Sequence, residues 1–243
     1  MRKLVVVCSL LLFACGCATY RTPGGAVSIP AITDSTIAEA LARQPAAQFP
    51  AHLIVARVQA TGYASATGAG YGKGQFSVVT KRDIETEEDF AQLASLPGIA
   101  GVGPLNRIVL PVSLRSAQEL REAAAQLRGD VVLLYTVDTS FHTESKMVAP
   151  LQLVTLGIFA SEKSRIVTTC AAAFIDVRTG FVYGVAEGTA TDVRRSSVWT
   201  TEDAIDSARL KTEREAFAAA LKEAGKTWTA INAEHNRTTA ALR

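Results

Sequence analysis

Cysteine, histidine and net charge are all scarce in this sequence, and each scarcity argues against a class of function. Four cysteines and three histidines stand in 243 residues, which predicts neither a disulfide framework nor a metal centre. Basic residues number 25 and acidic residues 23, so no strongly basic surface is predicted for a nucleic-acid backbone. The motifs H-E-x-x-H and G-x-S-x-G do not occur, which removes two standard signatures of hydrolytic enzymes.

Long apolar runs are also missing. Beyond residue 17 no apolar run approaches eighteen residues, so no membrane-spanning helix is predicted there. The N-terminus instead carries a shorter run, Leu4–Phe13, which follows Arg2 and Lys3. A positive start, a short apolar stretch and small residues after it are typical of a secretory signal peptide. The run is too short to cross a bilayer as a helix, which needs roughly 20 residues.

Two cysteines at the end of this leader indicate lipid modification. The tetrapeptide Leu12-Phe13-Ala14-Cys15 resembles a lipobox, in which cleavage occurs just before a cysteine that carries acyl chains such as palmitate. We therefore predict that residues 1–14 are a lipoprotein signal peptide and that Cys15 is the lipid attachment site. Cys17 offers an alternative register, and a plain signal peptide with incidental cysteines is the competing interpretation.

The mature chain is expected to sit on a membrane through these acyl chains, since two or more chains anchor a protein stably at ~0.8 kcal/mol per buried CH₂. Gly16 or Ala18 follows the modified cysteine. By resemblance to sorted lipoproteins, a non-acidic residue there favours the outer membrane, facing the periplasm, over the inner membrane. Loss of Arg2 and Lys3 leaves 23 basic and 23 acidic residues, so no nucleic-acid partner is predicted.

The rest of the chain divides into a tether, a domain and a tail. Residues 15–50 are rich in proline, threonine, alanine and glycine, which is typical of a flexible tether, with a short helix near 34–43. Residues 51–228 alternate strand and helix patterns and form the predicted periplasmic domain. Residues 229–243 are predicted to be a flexible tail.

The hydrophobic periodicity of the domain predicts its elements. Strands are predicted at 52–60, 75–80, 107–112, 130–138, 151–159, 165–177 and 181–193. Helices are predicted at 86–96, 116–128 and 200–225. This order favours an α/β fold, more closely an α+β sandwich, with a mixed sheet of five to six strands and three packed helices.

The glycine-rich stretch Gly68–Gly74 is the feature most similar to a nucleotide-binding loop. Thr67 stands where a Walker loop needs its first glycine, and Lys73 is followed by Gly74 rather than serine or threonine. The dinucleotide fingerprint fails as well, because Lys73 occupies the place of its third glycine. A surface loop without nucleotide is therefore predicted.

Two other groups invite a chemical role. Asp138 and His142 share one face of a predicted strand with Ser140 and Glu144, but a spacing of four residues is ~13 Å, too far to hold one ion. Cys170 is predicted to be a buried core residue rather than a nucleophile. His52, His142 and His235 lie in separate segments, and nothing in the sequence places any of them beside that thiol. A Cys17–Cys170 disulfide is disfavoured.

The turn sequence carries a family resemblance. Asp176-Val-Arg-Thr-Gly-Phe-Val-Tyr183 resembles the hairpin of periplasmic lipoprotein domains such as those of the curli-secretion channel lipoprotein and the lipoprotein activators of peptidoglycan synthases. With Leu133–Thr136 and Val154–Gly157, it is most similar to rhombotarget lipoproteins. In that pattern Asp176, Thr179 and Gly180 form a turn motif rather than a catalytic site.

The resemblance implies binding or assembly rather than catalysis. The expected function is a non-catalytic envelope lipoprotein, without cofactor or metal, whose domain binds a protein partner or a second copy of itself. An oligomeric, ring-forming secretion or assembly component is the alternative, and an envelope enzyme is the third hypothesis. The channel relative inserts long hairpins into the membrane, but 151–159 lacks a clean apolar face, so a pore is not predicted.

Overall fold

The structure, a computed structural model, describes residues 25–26, 37–144, 163–195 and 202–241. Its helices are α1 (Ile37–Ala42), α2 (Glu87–Ala94), α3 (Ala117–Gln126) and α4 (Glu202–Ala241), with a 3₁₀ helix at Arg107–Val109. Its strands are β1 (Ala51–Ala60), β2 (Lys73–Gly74), β3 (Phe76–Val79), β4 (Ile99–Pro104), β5 (Ser113–Leu114), β6 (Val131–Glu144), β7 (Lys163–Asp176) and β8 (Val182–Arg195).

A mixed sheet of six strands organises the domain. The strand order is β3-β1-β6-β7-β8, and β4 also pairs with β1. β1 runs parallel to β4 and β6 and antiparallel to β3, whereas β6, β7 and β8 form an antiparallel meander. β2 and β5 make a separate two-stranded pair. The predicted α+β class, with a mixed sheet and three packed helices, is confirmed.

The alternation of side chains along the strands builds one core on each face of the sheet. Leu133, Tyr135 and Phe174 face α4, which is the longest helix, and join a cluster that includes residues of α2. Leu134 and Ile175 face the opposite side and pack with α3. Helices therefore cover both faces, as expected for a layered α+β domain.

Both of the first two long helices begin with a capping box. Thr86 accepts a hydrogen bond from the backbone N–H of Asp89 at 3.3 Å, and Asp89 accepts one from the N–H of Thr86 at 2.8 Å. Glu119 accepts a hydrogen bond from the N–H of Ser116 at 3.3 Å. Both helices predicted here, at 86–96 and 116–128, are confirmed within a few residues of their ends.

Two short elements differ from the predictions. The strand predicted at 107–112 is wrong: Arg107–Val109 is a 3₁₀ turn, because the side chain of Asn106 accepts a hydrogen bond from the N–H of Ile108 at 3.0 Å. The sequence does not predict β4, since its glycines and proline break the hydrophobic alternation. This strand forms because its backbone pairs in parallel with β1. The strand predicted at 151–159 lies outside the described residues.

The last helix is longer than predicted. The sequence pattern predicts an end near Gly225, yet α4 continues to Ala241, across residues predicted as a flexible tail. Packing supplies the reason: Trp228 is fully buried, and its indole N–H donates to the carbonyl of Pro97 at 2.9 Å. Within the described part of the chain, no helix combines the length and the hydrophobicity that a membrane crossing requires.

Close contact between α4 and the sheet depends on a glycine. A Cβ at Gly188 of β8 would lie 2.2 Å from the backbone nitrogen of Ala220 and 2.6 Å from the carbonyl oxygen of Ala216. Only a residue without a side chain leaves room for the helix backbone there. Gly188 therefore sets the distance between α4 and β8.

Candidate binding cleft

The hairpin predicted as a turn motif is also a junction between distant parts of the chain. Oδ1 of Asp176 accepts hydrogen bonds from the N–H groups of Arg178 at 2.8 Å and Thr179 at 2.9 Å. Its Oδ2 accepts from the Tyr183 hydroxyl at 2.8 Å and from the N–H of Ala46 at 2.6 Å. We call Asp176 and these four donors the Asp176 junction.

The local sequence explains why the turn forms. An aspartate readily accepts hydrogen bonds from backbone groups two and three residues ahead. Gly180 then adopts a φ of 72°, in the left-handed region that glycine tolerates without strain. The Thr179 hydroxyl accepts a hydrogen bond from the N–H of Phe181 at 3.2 Å. The structure thus places Asp176, Thr179 and Gly180 together in one turn.

The electrostatics of the junction favour an ionised carboxylate. Burial alone would raise the pKa of Asp176, but the hydrogen bonds from Ala46, Thr179, Tyr183 and Arg178 lower it below its ordinary value. Burial and the hydrogen bond to Asp176 raise the pKa of Tyr183. The pair therefore consists of a carboxylate and a neutral phenol that donates to it.

The junction fixes the segment that precedes the first strand. The Tyr183 oxygen also accepts a hydrogen bond from the N–H of Ala47 at 3.2 Å, and Arg43 donates to the carbonyl of Gly180 at 3.3 Å. Residues 43–47 are thereby held against the hairpin. This segment becomes one wall of a cleft whose other walls are the hairpin and α4.

The cleft has a volume of about 720 Å³. Its lining is mainly apolar, with polar groups contributed by α4. The lining residues are Pro45, Ala47, Phe181, Tyr183, Thr227, Ala230, Ile231, Glu234, His235, Thr238 and Thr239. Its size falls in the range of ~300–1,000 Å³ that is typical of ligand sites.

Stacked rings hold the outer part of α4 in place beside the cleft. The Phe49 ring stacks on His235 with centroids 4.1 Å apart and on Trp228 with centroids 5.6 Å apart. Trp228 also contacts Phe174 of the sheet, with centroids 5.1 Å apart. His235 is thus a packing residue at the cleft, a role that the sequence does not reveal because its pattern predicts a helix that ends before this residue.

A second polar centre lies under the N-terminal half of α4, where charges are buried. Arg57 contacts Asp83 at 2.7 Å and Glu213 at 3.3 Å. Arg209 contacts Glu213 at 2.8 Å and Asp206 at 2.9 Å. We call these five residues the buried charge cluster; the side chains of both arginines are fully buried. Among the described residues, Nε of Arg57 finds no hydrogen-bond partner.

Cys170 lies in the core, as predicted. It is buried and free, and burial raises the pKa of its thiol to about 12. Such a thiol stays protonated near neutral pH and is a poor nucleophile. His52 and His142 are exposed and His235 packs on Phe49. Over the described residues, no three histidine, cysteine, aspartate or glutamate side chains group as a metal site.

Part of the glycine-rich stretch forms a short strand rather than a phosphate-binding loop. Lys73 and Gly74 pair with Ser113 and Leu114 as β2 and β5. Gly74 has a φ of 141°, and a Cβ there would lie 2.2 Å from the Leu114 carbonyl oxygen. The glycine is required by this strand contact. The two predicted lipid attachment sites, Cys15 and Cys17, lie outside the described residues.

Comparison with known proteins yields only distant likenesses. No protein-family model matches the chain, and no curated protein matches its sequence. The lipoprotein GNA1162 from Neisseria meningitidis is 12% identical over 67% of this chain and 94% of its own, with a TM-score of 0.31. A variant of PelC from Paraburkholderia phytofirmans, solved as a dodecamer, is 14% identical over 78% of this chain and 93% of its own, with a TM-score of 0.26.

Structural similarity at these TM-scores supports no conclusion about the function of this chain. The resemblance to rhombotarget lipoproteins, to the curli-secretion channel lipoprotein and to the activators of peptidoglycan synthases stays a prediction from the sequence. A function for this chain therefore has to rest on the arrangement of its own residues.

Proposed function

We propose that this protein is a lipid-anchored envelope protein whose α+β domain binds a protein partner in the cleft beside α4, without catalysis. The observation that carries the proposal is the cleft itself, with walls from three separate parts of the chain. The leader and the cysteines at 15 and 17 support the anchor, on the periplasmic side of the outer membrane.

The lining of the cleft indicates the chemistry of its occupant. Phe181 and Ile231 are half-buried and offer apolar contact, while Glu234 and Thr238 of α4 are exposed. Protein interfaces likewise combine apolar contacts with polar ones that stay accessible to solvent. We infer that one or two apolar side chains of a partner contact Phe181 and Ile231 and that its polar groups meet Glu234 and Thr238.

Photocrosslinking tests the cleft directly. The residue p-benzoylphenylalanine would replace Thr238, which lines the cleft, or Asn236, an exposed control outside the lining on the same helix. We expect an adduct of one defined mass from position 238 in intact cells and none from position 236. The exposed cleft residue Ala230, changed to Glu, should abolish that adduct. Equal adducts from both positions would contradict the cleft as the binding site.

Membrane fractionation tests the anchor separately. Cys15→Ser should release the mature protein from membranes, and Cys17→Ser should not. The reverse result would move the lipid to Cys17 and keep the proposal. Wild-type fractionation of both single variants and of the double variant would contradict lipid anchoring.

Self-association is a second candidate, favoured by the edge of the sheet. β8 is the last strand in the sheet order, so no described strand pairs with its outer side. Val185 and Val193 on this strand are 60% and 53% exposed. An edge with exposed apolar residues can pair with another chain. Under this alternative, the particle in mild detergent would be a large uniform oligomer, and Val185→Lys would dissociate it.

A further inference from the structure

The two edges of the sheet are built differently. At one edge, β3 and β4 are only four and six residues long. The outer side of β3 is occupied, because Tyr71 and Val78 exchange backbone hydrogen bonds of 2.7 and 2.8 Å. At the other edge β8 is 14 residues long, and no described strand pairs with its outer side. Proline or lysine commonly protects a long edge from pairing, and β8 contains neither.

Alternate residues of β8 direct their backbone groups away from β7, and two contacts identify them. The Thr227 hydroxyl of α4 donates to the carbonyl of Val185 at 3.3 Å. The hydroxyls of Thr169 and Thr189, paired across β7 and β8, lie 3.2 Å apart. Side chains come this close where opposite residues exchange no backbone hydrogen bonds. With a period of two, the outward groups belong to five exposed residues: Val185, Glu187, Thr189, Thr191 and Val193.

The cleft opens beside this edge. Phe181 and Tyr183, at the start of β8, line it together with Thr227 of α4. Thr227 also bonds the outward carbonyl of Val185. A strand added to β8 would lie ~4.8 Å from it. Every second side chain of that strand would point to the sheet face that α4 covers, where Ile231 lines the cleft.

The exposed side chains of β8 indicate which residues an added strand would carry. Val185 and Val193 are 60% and 53% exposed. Glu187 is exposed and forms no ion pair among the described residues. Apolar and oppositely charged side chains are the favourable cross-strand neighbours of such residues. The best-matched segment therefore has an apolar residue opposite Val185 and, two positions along, a lysine or arginine opposite Glu187.

The position of α4 favours a segment of another protein over β8 of a second copy. The backbone of α4 lies directly over Gly188, since a Cβ there would be 2.2 Å from the nitrogen of Ala220. Two β8 strands paired around Gly188 would bring two α4 helices to about one strand spacing, ~4.8 Å. Packed helices need ~8–10 Å between their axes. A single extended segment brings no helix with it.

We propose that an extended segment of the partner protein pairs with the outer side of β8 and places an apolar side chain in the cleft. The proposal rests on the function proposed above and specifies the form of the partner. The backbone of the segment bonds the outward groups of Glu187, Thr189 and Thr191. Backbone hydrogen bonds then supply affinity, and alternate side chains supply specificity.

Proline at position 189 tests strand pairing directly. Thr189→Pro removes an N–H that points outwards, which an edge strand tolerates, and Gly188 before it has no side chain for the ring to meet. Thr189→Ala is the matched control, because it loses the same hydroxyl and keeps the N–H. Each change would be combined with p-benzoylphenylalanine in place of Thr238 in the full-length chain. The adduct would be measured after irradiation of intact cells.

Thr189→Pro should lower the adduct at least about fivefold, because one backbone hydrogen bond and the room for the incoming strand are lost. Thr189→Ala should change it less than about twofold. An adduct that Thr189→Pro leaves unchanged would overturn strand pairing and keep the cleft as the binding site. No adduct from position 238 with β8 unaltered would overturn both. An adduct with the mass of two copies of this chain would overturn a partner segment in favour of self-association.

Thermal unfolding separates loss of pairing from loss of the fold. Thr189→Pro should unfold within about 3 °C of Thr189→Ala, since β7 does not use the N–H of residue 189. Ala190→Pro removes an N–H directed at β7, opposite Thr168, and should lower the thermal midpoint by about 6–12 °C. If Thr189→Pro lowered it as much as Ala190→Pro, the outward direction of these groups would be wrong, and the proposed pairing with it.

Discussion

The two polar centres of this domain are built in different ways. In the Asp176 junction, one carboxylate is satisfied by three backbone N–H groups and a hydroxyl, two of the N–H groups coming from the next three residues. In the buried charge cluster, five charged side chains converge from β1, the segment after β3 and α4. The turn within the junction is local chemistry, because Arg178 and Thr179 follow Asp176 directly, whereas the cluster exists only after the chain has folded.

Because they are built differently, the two centres contribute differently to the path of the chain and to the stability of the domain. A carboxylate held by backbone donors fixes the path of the chain, and here it fixes the cleft wall at Ala46 and Ala47. A buried ion pair loses hydration for both charges, so intact it adds little stability, while removal of one partner is severe. We therefore expect the cluster to dominate stability losses and the junction to control the cleft.

Arg57→Met should give the largest effect. It leaves Asp83 and Glu213 buried without their shared cation, which we expect to cost about 3–5 kcal/mol of the free energy of unfolding. Urea denaturation followed by circular dichroism measures this cost. Lys226→Met is the matched control, since the Lys226–Glu223 pair is exposed and should contribute less than about 1 kcal/mol. Similar losses in the two variants would show that the buried charge cluster contributes no more to the free energy of unfolding than an exposed ion pair does.

Asp176→Ala should come second, with a loss of about 2–3 kcal/mol, because its four donors lose a charged acceptor and some of them can turn to water. Its effect on the cleft should be larger than its effect on stability. Hydrogen exchange at the N–H groups of Ala46 and Ala47 should become fast in the variant and stay slow in Arg57→Met, measured where both remain folded. Slow exchange in Asp176→Ala would contradict the role of the junction in holding this wall.

The same difference explains what the sequence could predict. The hairpin at Asp176–Gly180 is predictable, because its donors and acceptor are neighbours in the chain. The capping boxes at Thr86 and Ser116 are local in the same way. The buried charge cluster is not, since nothing marks Arg57 and Glu213, 156 residues apart, as partners. The cleft escapes prediction for a related reason: α4 continues beyond Gly225 through contacts with residues distant in sequence, such as the hydrogen bond from Trp228 to Pro97 and the stacking of Phe49 on Trp228.

Tyr183→Phe sharpens the comparison within the junction. It removes one donor to Asp176 and one acceptor for Ala47 and keeps the ring. We expect a loss of about 1 kcal/mol, typical of a single hydrogen bond, measured by urea denaturation. A loss as large as that of Asp176→Ala would mean that the hydroxyl, rather than the backbone donors, carries the junction.

The smallest effect should appear in the pH dependence. The pKa of Asp176 is lowered in the folded protein, so its contribution is complete above the unfolded pKa of about 3.9 and is lost as the pH falls through the folded value. The difference in thermal midpoint between wild type and Asp176→Asn should therefore be constant near neutral pH and shrink below about pH 4. If the difference in thermal midpoint grew as the pH fell, the pKa of Asp176 would not be lowered in the folded protein.

The mass of the N-terminal peptide of the mature protein, isolated from membranes, tests the central claim most directly. The account predicts a peptide that begins at Cys15, or at Cys17 in the alternative register, and carries a diacylglyceryl group with palmitate-sized acyl chains. A peptide that retains the leader, or one that begins at either cysteine without added acyl mass, would contradict a lipid-anchored protein.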